Sequence, residues 1–371
     1  MSGGGARAAY QVGVLKAVAE LLPSRTYNPF PVICGTSAGA INALTIAGRP
    51  GLLRQRIRKL ESIWIGLRSE DIYRTDTWGV FKNTCRLALS LVHGGYGIGR
   101  SVALLDNSPL RDLLEELVRF RYIDEAIANG ALDAVSTTAM DYGTGRSVTF
   151  FQGNHPNWHR SRRLGVRTGL TLDHLIASAA IPTVFPATQI NDAYYGDGAV
   201  RQLKPLSPAL HLGATKLFII GVSNNSIHVD DIEKAEHPPS TAQMIGQLLN
   251  SAFIDSIESD LETLDSINKL ARECPAQAAA KDLRYIDYLC ISPSVGIDEI
   301  AQKHIHELPS SLKMFLRAFG GTPGGGGSSA ASYLLFEPGF CTELINLGYR
   351  DALDQADNIL SFFGAASPEA M

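Results

Sequence analysis

The sequence has few cysteines and no pattern among them. Cys34, Cys85, Cys274, Cys290 and Cys341 are odd in number and form no C-x-x-C pair. That argues against a disulfide framework and a zinc site, and fits a reducing, cytoplasmic setting. No apolar run approaches the ~20 residues that a membrane-spanning helix needs, and MSGGGARAAY lacks the charged-then-apolar layout of a secretory signal. Carboxylates are not clustered as in a calcium loop, so the chain reads as free of metal and cofactor. An excess of positive charge is missing too. Lys and Arg number 33 against 37 Asp and Glu, a formal charge of -4, and nothing points to nucleic acid as a partner. No internal repeat is found.

What is present is a chain of 371 residues, 45% of them hydrophobic, long enough for one large core or two domains. A helix follows Gly3-Gly4-Gly5, with Val12, Leu15, Val18 and Leu22 at helical spacing. Pro23 and Asn28-Pro29 end it. Pro31 to Cys34 reads as a short buried strand and Ala38 to Ala47 as a helix, with further helices over 51–66, 81–93 and 107–119. Strands are expected at Leu132–Thr138 and Ser147–Phe151, with Asp141-Tyr142-Gly143 as turn chemistry between them. Thr215 to Val222 is a near-continuous apolar run, as in a central strand covered on both faces. Residues 240–270 are periodic, with Met244, Leu248, Ile254, Ile257, Leu261 and Leu264 near one face. Composition makes 320–332 a flexible glycine-rich loop. The alternation predicts an α/β fold: a mainly parallel sheet in a core over 1–225, and a mostly helical addition over 226–371 packed on it.

Three short stretches carry chemistry, and each has a plainer reading. In Gly35-Thr36-Ser37-Ala38-Gly39 the serine stands between an apolar run and a helix, the context of a nucleophile elbow, where a tight turn lifts the hydroxyl clear and the helix start offers N–H groups to an oxyanion. The same residues also make an ordinary small-residue turn. Gly3-Gly4-Gly5 before a helix bares backbone N–H groups, a ready anion site, although chain termini are also commonly unstructured. The dinucleotide fingerprint fails there, because Ala8 takes its last glycine position and no strand precedes it. Asp197-Gly198-Ala199 is either a hairpin turn or a base for Ser37, since a desolvated carboxylate has raised proton affinity. None of the nine histidines sits in a Gly-flanked loop resembling a triad tip. An α/β-hydrolase order of Ser37, Asp197 and then His211 or a later histidine is formally possible, but that fold places its nucleophile far beyond its first strands. Arg160, Arg162, Arg163 and Arg167 crowd the stretch HRSRRLGVR. A surface for anionic head groups is one reading, and a solvated strand or loop face is the simpler one. VFKNTCRLALSLV (80–92) is a lid or a core helix, its apolar residues too numerous for a one-sided stripe.

Taken in order, Gly3-Gly4-Gly5-Ala6-Arg7, Gly35-Thr36-Ser37-Ala38-Gly39 and Asp197-Gly198-Ala199 resemble the patatin-like phospholipases. Their oxyanion loop, G-x-S-x-G motif and Asp-Gly-Ala or Asp-Gly-Gly motif occur in that sequence. The run from Ala177 to Pro186 is similar to the family's Ser-x-x-x-Pro-x-x-Phe-Pro segment, and LLFEPGFCTELINLGYRDA (334–352) to the C-terminal end of bacterial members. The resemblance implies a three-layer α/β sandwich and hydrolysis of phospholipid or lysophospholipid esters through an acyl-enzyme, with peripheral contact to the membrane. It implies that Ser37 and Asp197 form a dyad without histidine. The N–H groups of Gly3, Gly4, Gly5 and Ala6 then form the oxyanion hole, with Arg7, Gly35, Gly39 and Gly198 in support. Arg7 reads as a prop for the loop, a ligand for lipid phosphate or a helix-surface charge. Two departures stand out. Ala8 replaces a usual glycine, and only Met1 and Ser2 precede the loop where the family has an apolar strand. The second departure raises an alternative, a catalytically impaired lipid-binding or scaffold protein with an unanchored loop.

Overall fold

The computed structural model describes residues 1–76, 103–223, 255–318 and 327–365, together with positions 79, 85, 244, 246–248, 250 and 251. The helix expected over 81–93 lies outside these residues apart from Cys85. In chain order the elements that build the site are α1 (Ala9–Leu21), β1 (Val32–Thr36), α2 (Ala38–Ala47) and α3 (Leu53–Gly66). Then follow β2 (Ala134–Asp141), β3 (Ser147–Gly153), β4 (Trp158–Arg160), β5 (Arg163–Arg167), α4 (Leu172–Ser178), β6 (Thr188–Ile190), β7 (Ala193–Asp197) and β8 (Lys216–Ile220). The C-terminal part contributes β9 (Asp287–Ile291), α5 (Ile297–His304), α6 (Gly327–Leu334) and α7 (Pro338–Leu353).

The fold is α/β as expected, and its sheet is not purely parallel. Parallel pairs join β1 to β2, β3 to β5 and β8 to β9, while the hairpins β2–β3, β4–β5 and β6–β7 and the β2–β7 pair run antiparallel. β2 is the long axis of the sheet and carries two partners in tandem along one edge. β1 covers Ala134 to Thr138, ending with Thr36 opposite Thr138, and β7 covers Ala139 to Asp141, with Asp197 opposite Ala139. The end of one strand and the end of another therefore abut beside a third, and the two motif residues Ser37 and Asp197 fall at that junction.

The run Thr215–Val222 does form a strand, β8, but it pairs with β9 in a sheet of two. Between β8 and β1 stand Met1 and Ser2, which bond to both sides without being assigned as a strand. The Met1 ammonium donates to Cys34 O at 3.0 Å, Thr36 N–H donates to Met1 O at 3.3 Å, and Ser2 N–H donates to Ile220 O at 3.4 Å. Alongside them an apolar groove of about 610 Å³ separates β1 from β8, lined by Val32, Cys34, Leu212, Phe218 and Phe363 among others.

α1 differs from the one-sided helix its spacing suggests. Almost every residue from Ala9 to Ala19 is buried, because α1 lies between α2, α3 and α7. The hydroxyl of Tyr10 donates to Asp351 on α7 at 2.9 Å. The glycine-rich expectation over 320–332 is corrected in its second part. Residues 327–332 belong to α6, whose Ala330, Ala331 and Tyr333 are buried; the apolar residues just past the glycines give that stretch something to bury. In the long helix Asp255–Glu273, Leu264 is buried and Ile257 and Leu261 pack beside it against β8, whereas Met244 and Leu248 are exposed. Among the described residues no helix is long and apolar enough to cross a membrane.

Candidate active site

Ser37 occupies a sharp turn between β1 and α2, at φ 54° and ψ −133°. That backbone conformation costs of order 1–3 kcal/mol for a residue with a side chain and persists only where its surroundings impose it. Here they do. A Cβ on Gly35 would lie 2.4 Å from Gly39 O, and one on Gly39 would lie 2.3 Å from Ser2 O. Both flanking residues must therefore be glycine for strand, helix and N-terminal loop to approach so closely. The Ser37 N–H is held by the Ser178 hydroxyl at 2.9 Å, which in turn donates to Thr138 O at 2.6 Å. α4 thus braces the turn from the far side of the sheet junction.

The Ser37 hydroxyl donates to Asp197 Oδ2 at 2.5 Å. Both residues are buried, with Asp197 fully shielded from solvent. Its other oxygen accepts the Ala199 N–H at 2.9 Å, and its own N–H donates to Ala180 O at 2.8 Å. Burial pushes the carboxyl up to about 7, against the hydrogen bonds from Ser37 and Ala199, which favour the charged form. The hairpin reading of Asp197-Gly198 gives way. β7 ends at Asp197 and a 3-10 turn, Gly198–Val200, follows it, while the hairpin turn lies upstream at Asn191-Asp192. Gly198 sits against Thr138 O, where a Cβ would come within 2.1 Å.

The glycine loop turns into a 3-10 helix, Gly5–Ala8, and then α1. Its first internal hydrogen bond runs from Arg7 N–H to Gly4 O, so the N–H groups of Gly4, Gly5 and Ala6 lie ahead of the ladder and find no acceptor within it. Gly5 takes φ 56°, with the Tyr333 backbone of α6 against its Cα. Ala8 is ordinary helix at φ −66°, where alanine is at no disadvantage. The expected lack of anchoring is corrected. Besides the Met1–Ser2 ladder, Gln11 donates to Ser2 O at 2.8 Å and Asn42 donates to Ala8 O at 3.1 Å. Asn42 also donates to Gln11 and accepts from the Trp64 indole. This buried chain ties α1, α2 and α3 together around the loop.

Arg7 is no helix-surface charge. Its side chain is 3% exposed, and it donates to Ser332 Oγ at 2.7 Å and to Asp298 Oδ1 at 2.5 Å, with its guanidinium 4.2 Å from the centre of the Tyr333 ring. Its role as a prop for the loop fits this geometry. The local sequence carries no sign of these partners, nor of Gln11, Asn42 or Gln202, while Ser178 is the serine of the Ser-x-x-x-Pro segment noted in the sequence. Gln202 accepts from Thr36 at 2.5 Å and donates to Thr138 at 3.3 Å.

Of the described histidines, four have other partners, with His306 bonding the Lys303 carbonyl. His174 bonds Thr171, His211 bonds the Ser207 carbonyl and stacks on Trp158, and His304 lies between Glu307 and Glu343. None touches Ser37 or Asp197. His93, His228 and His237 lie outside the described residues. Among those described, no group of three His, Cys, Asp or Glu is gathered as metal ligands.

A braced serine turn beside a buried carboxylate, with a glycine loop packed next to it, makes a candidate hydrolytic centre on an α/β scaffold. The sequence matches the family Patatin-like phospholipase over residues 1–210, and the chain belongs to that family. It is also 26% identical, over 202 residues, to a cGAMP-activated phospholipase of Pseudomonas aeruginosa. That match covers 54% of this chain and 51% of the relative, so the chain spans about half the length of the curated relative it matches.

Proposed function

We propose that the chain is a lipid acyl hydrolase of the phospholipase A or lysophospholipase type, working through Ser37 and Asp197. The observation that carries this is the 2.5 Å contact between the Ser37 hydroxyl and a buried Asp197 carboxylate with no imidazole between them. Ser37 Oγ attacks the ester carbonyl as Asp197 Oδ2 takes its proton. The carbonyl oxygen becomes an oxyanion facing the N–H groups of Gly4, Gly5 and Ala6. Collapse breaks the ester C–O bond, the departing alkoxide takes the proton from Asp197, and an acyl-Ser37 ester remains. Water, giving its proton to the same carboxylate, then releases the fatty acid and regenerates the serine. Burial suits the aspartate to this task, because a carboxyl near 7 is a stronger base than an exposed one. The setting we propose is cytoplasmic, in keeping with five cysteines that form no C-x-x-C pair in the sequence, with peripheral access to membranes.

The test is fatty acid release from a panel of phospholipids, lysophospholipids and p-nitrophenyl esters. Ser37→Ala and Asp197→Asn should each lower turnover about a thousandfold or more, and the double variant should be little worse, because residues acting as one unit are not additive. A fully active Ser37→Ala protein refutes the reading. One folded but inactive histidine variant replaces the dyad with a triad.

A further inference from the structure

The arginines of HRSRRLGVR are placed at the end of the sheet where the candidate site lies. β1 runs toward Ser37, and β2 runs parallel to it and ends at Asp141. β3 starts back from that end, and β5, parallel to β3, begins there with Arg163 opposite Ser147. β4 runs antiparallel to β5 and finishes with Arg160 opposite Arg163. The turn between them is Ser161-Arg162, so three arginines occupy four consecutive positions at the tip of one hairpin. The tip is fixed in place, with Arg162 O accepting the Ser147 N–H at 3.0 Å. β5 lies two strands from β2, about 10 Å at sheet spacing.

That arrangement is costly on its own terms. Arg160 and Arg163 are like charges directly opposite across a strand pair, which destabilises a sheet. Among the described residues, no carboxylate forms a salt bridge with Arg160, Arg162 or Arg163. The same edge adds Arg146 and Arg201, the latter donating to Gly145 O at 2.8 Å and so joining the turn after Asp197 to the β2–β3 turn. Of the acidic groups at this edge, Asp141 is taken up by its own turn, donors being Gly143 N–H at 2.8 Å and Thr144 Oγ1 at 2.6 Å. Among the described residues, Asp192, in the β6–β7 turn, is acidic and exposed there.

Exposed apolar groups complete the rim. Tyr142 is 44% exposed, Tyr194 51%, Val200 37% and Leu203 59%. Tyr142 also reaches the site itself. Its ring lies over Gly196, and its phenol is pushed up by burial and then by the nearby Asp197 charge. Arginines without a carboxylate partner, of which Arg160 donates to His159 O at 3.2 Å, suit together with half-exposed tyrosines a lipid–water interface, where cations meet phosphate and aromatic rings lie at head-group depth.

We infer that the β4–β5 tip, with Arg160, Arg162 and Arg163, docks this edge of the protein onto an anionic phospholipid surface and presents the Ser37–Asp197 site to it. The inference rests on the proposed lipid substrate, but binding can be read without catalysis. Partition of the full chain onto phosphatidylglycerol vesicles and onto phosphatidylcholine vesicles is measured by sedimentation, at low and high salt. The protein should favour the anionic vesicles, and salt should weaken that binding. The variant Arg160→Gln/Arg162→Gln/Arg163→Gln should lose roughly tenfold or more in partition. Its hydrolysis of a soluble p-nitrophenyl ester should be unchanged, and its melting temperature equal or higher, since the opposed charges are gone. If the triple variant fails to fold, Arg162→Glu at the exposed turn alone must show the loss.

Equal binding to both vesicle types, unchanged partition of the variants, or retention of RNA in place of vesicles overturns the inference. A triple variant that melts well below the parent, together with an Arg162→Glu protein that binds anionic vesicles as the parent does, also overturns it, because the arginines are then structural. Absence of all ester hydrolysis with intact anionic-vesicle binding would refute the proposed catalysis and leave the docking surface standing.

Discussion

Arg7, three residues into the chain's first turn of helix, and Asp298, on α5, are joined by a 2.5 Å contact spanning 291 positions of sequence. The guanidinium is buried while the carboxylate is partly open to solvent. This pairing attaches the glycine loop to the C-terminal part of the chain, and α6 adds Ser332 and the Tyr333 ring.

Asp298→Ala should therefore loosen the loop without touching Ser37. Loss of a hydrogen bond to a charged group costs about 1.5–3 kcal/mol, here reduced by the remaining bond to Ser332. The expected result is a melting temperature lower by several degrees and a kcat lower by about tenfold, with KM little changed, since the loop acts on the transition state. Asp298→Asn, which keeps the acceptor, should recover most of both. Unchanged kcat in Asp298→Ala would show that the clamp does not position the loop.

Deletions through the glycine-rich stretch should divide at residue 327. Removing 327–332 takes away the buried Ala330 and Ala331 and the Ser332 that holds Arg7. Buried small residues and a hydrogen bond to a charged group together represent about 3–5 kcal/mol, enough to unfold a marginal domain. Thermal melts of deletions ending at 326 and at 332 check this; equal stability of the two would show that α6 is not part of the core.

The elbow was legible because its chemistry is local: glycines on both sides of a serine between an apolar run and a helix admit few conformations. The Ser37–Asp197 contact was legible only through the order of motifs, since nothing near Ser37 names a partner 160 residues away. Arg7 was ambiguous for the same reason, as the residues that bury it come from α5 and α6. Composition misled at 327–332, where glycines hide the start of a packed helix. β8 reads as a central strand because its run is apolar throughout, but strand neighbours are non-local, and no local pattern names β9 as its partner. The tandem seating of β1 and β7 along β2, which brings Ser37 and Asp197 together, follows from pairing alone.

Ser178 should prove a positioning residue. Its hydroxyl holds the Ser37 N–H in a backbone conformation that serine otherwise avoids. Ser178→Ala leaves that N–H buried without an acceptor, at a cost of about 1–3 kcal/mol. Turnover should fall by about tenfold to a hundredfold while covalent labelling of Ser37 by an organophosphonate slows in proportion. Labelling at the normal rate would mean that the turn keeps its shape unaided.

The raised Asp197 carboxyl makes opposite predictions for activity and stability. As a base it must be ionised, so turnover should be low at pH 5 and rise through about 7. For stability, the group is protonated in the fold up to about 7 but ionises near 3.8 in the unfolded chain. Between those limits the folded state binds the extra proton, so stability falls as pH rises, by up to about 1.4 kcal/mol per pH unit. Above 7 both states are ionised and the cost of the buried charge stays. Asp197→Asn removes that charge while keeping the shape, and should melt higher than the parent at pH 8 and nearly the same at pH 4, though it is inactive at both. A parent protein whose melting temperature rises steadily from pH 4 to pH 7, with no difference from the variant at pH 8, would show that Asp197 is not desolvated, and a dyad with an ordinary carboxylate would be too weak a base for the serine.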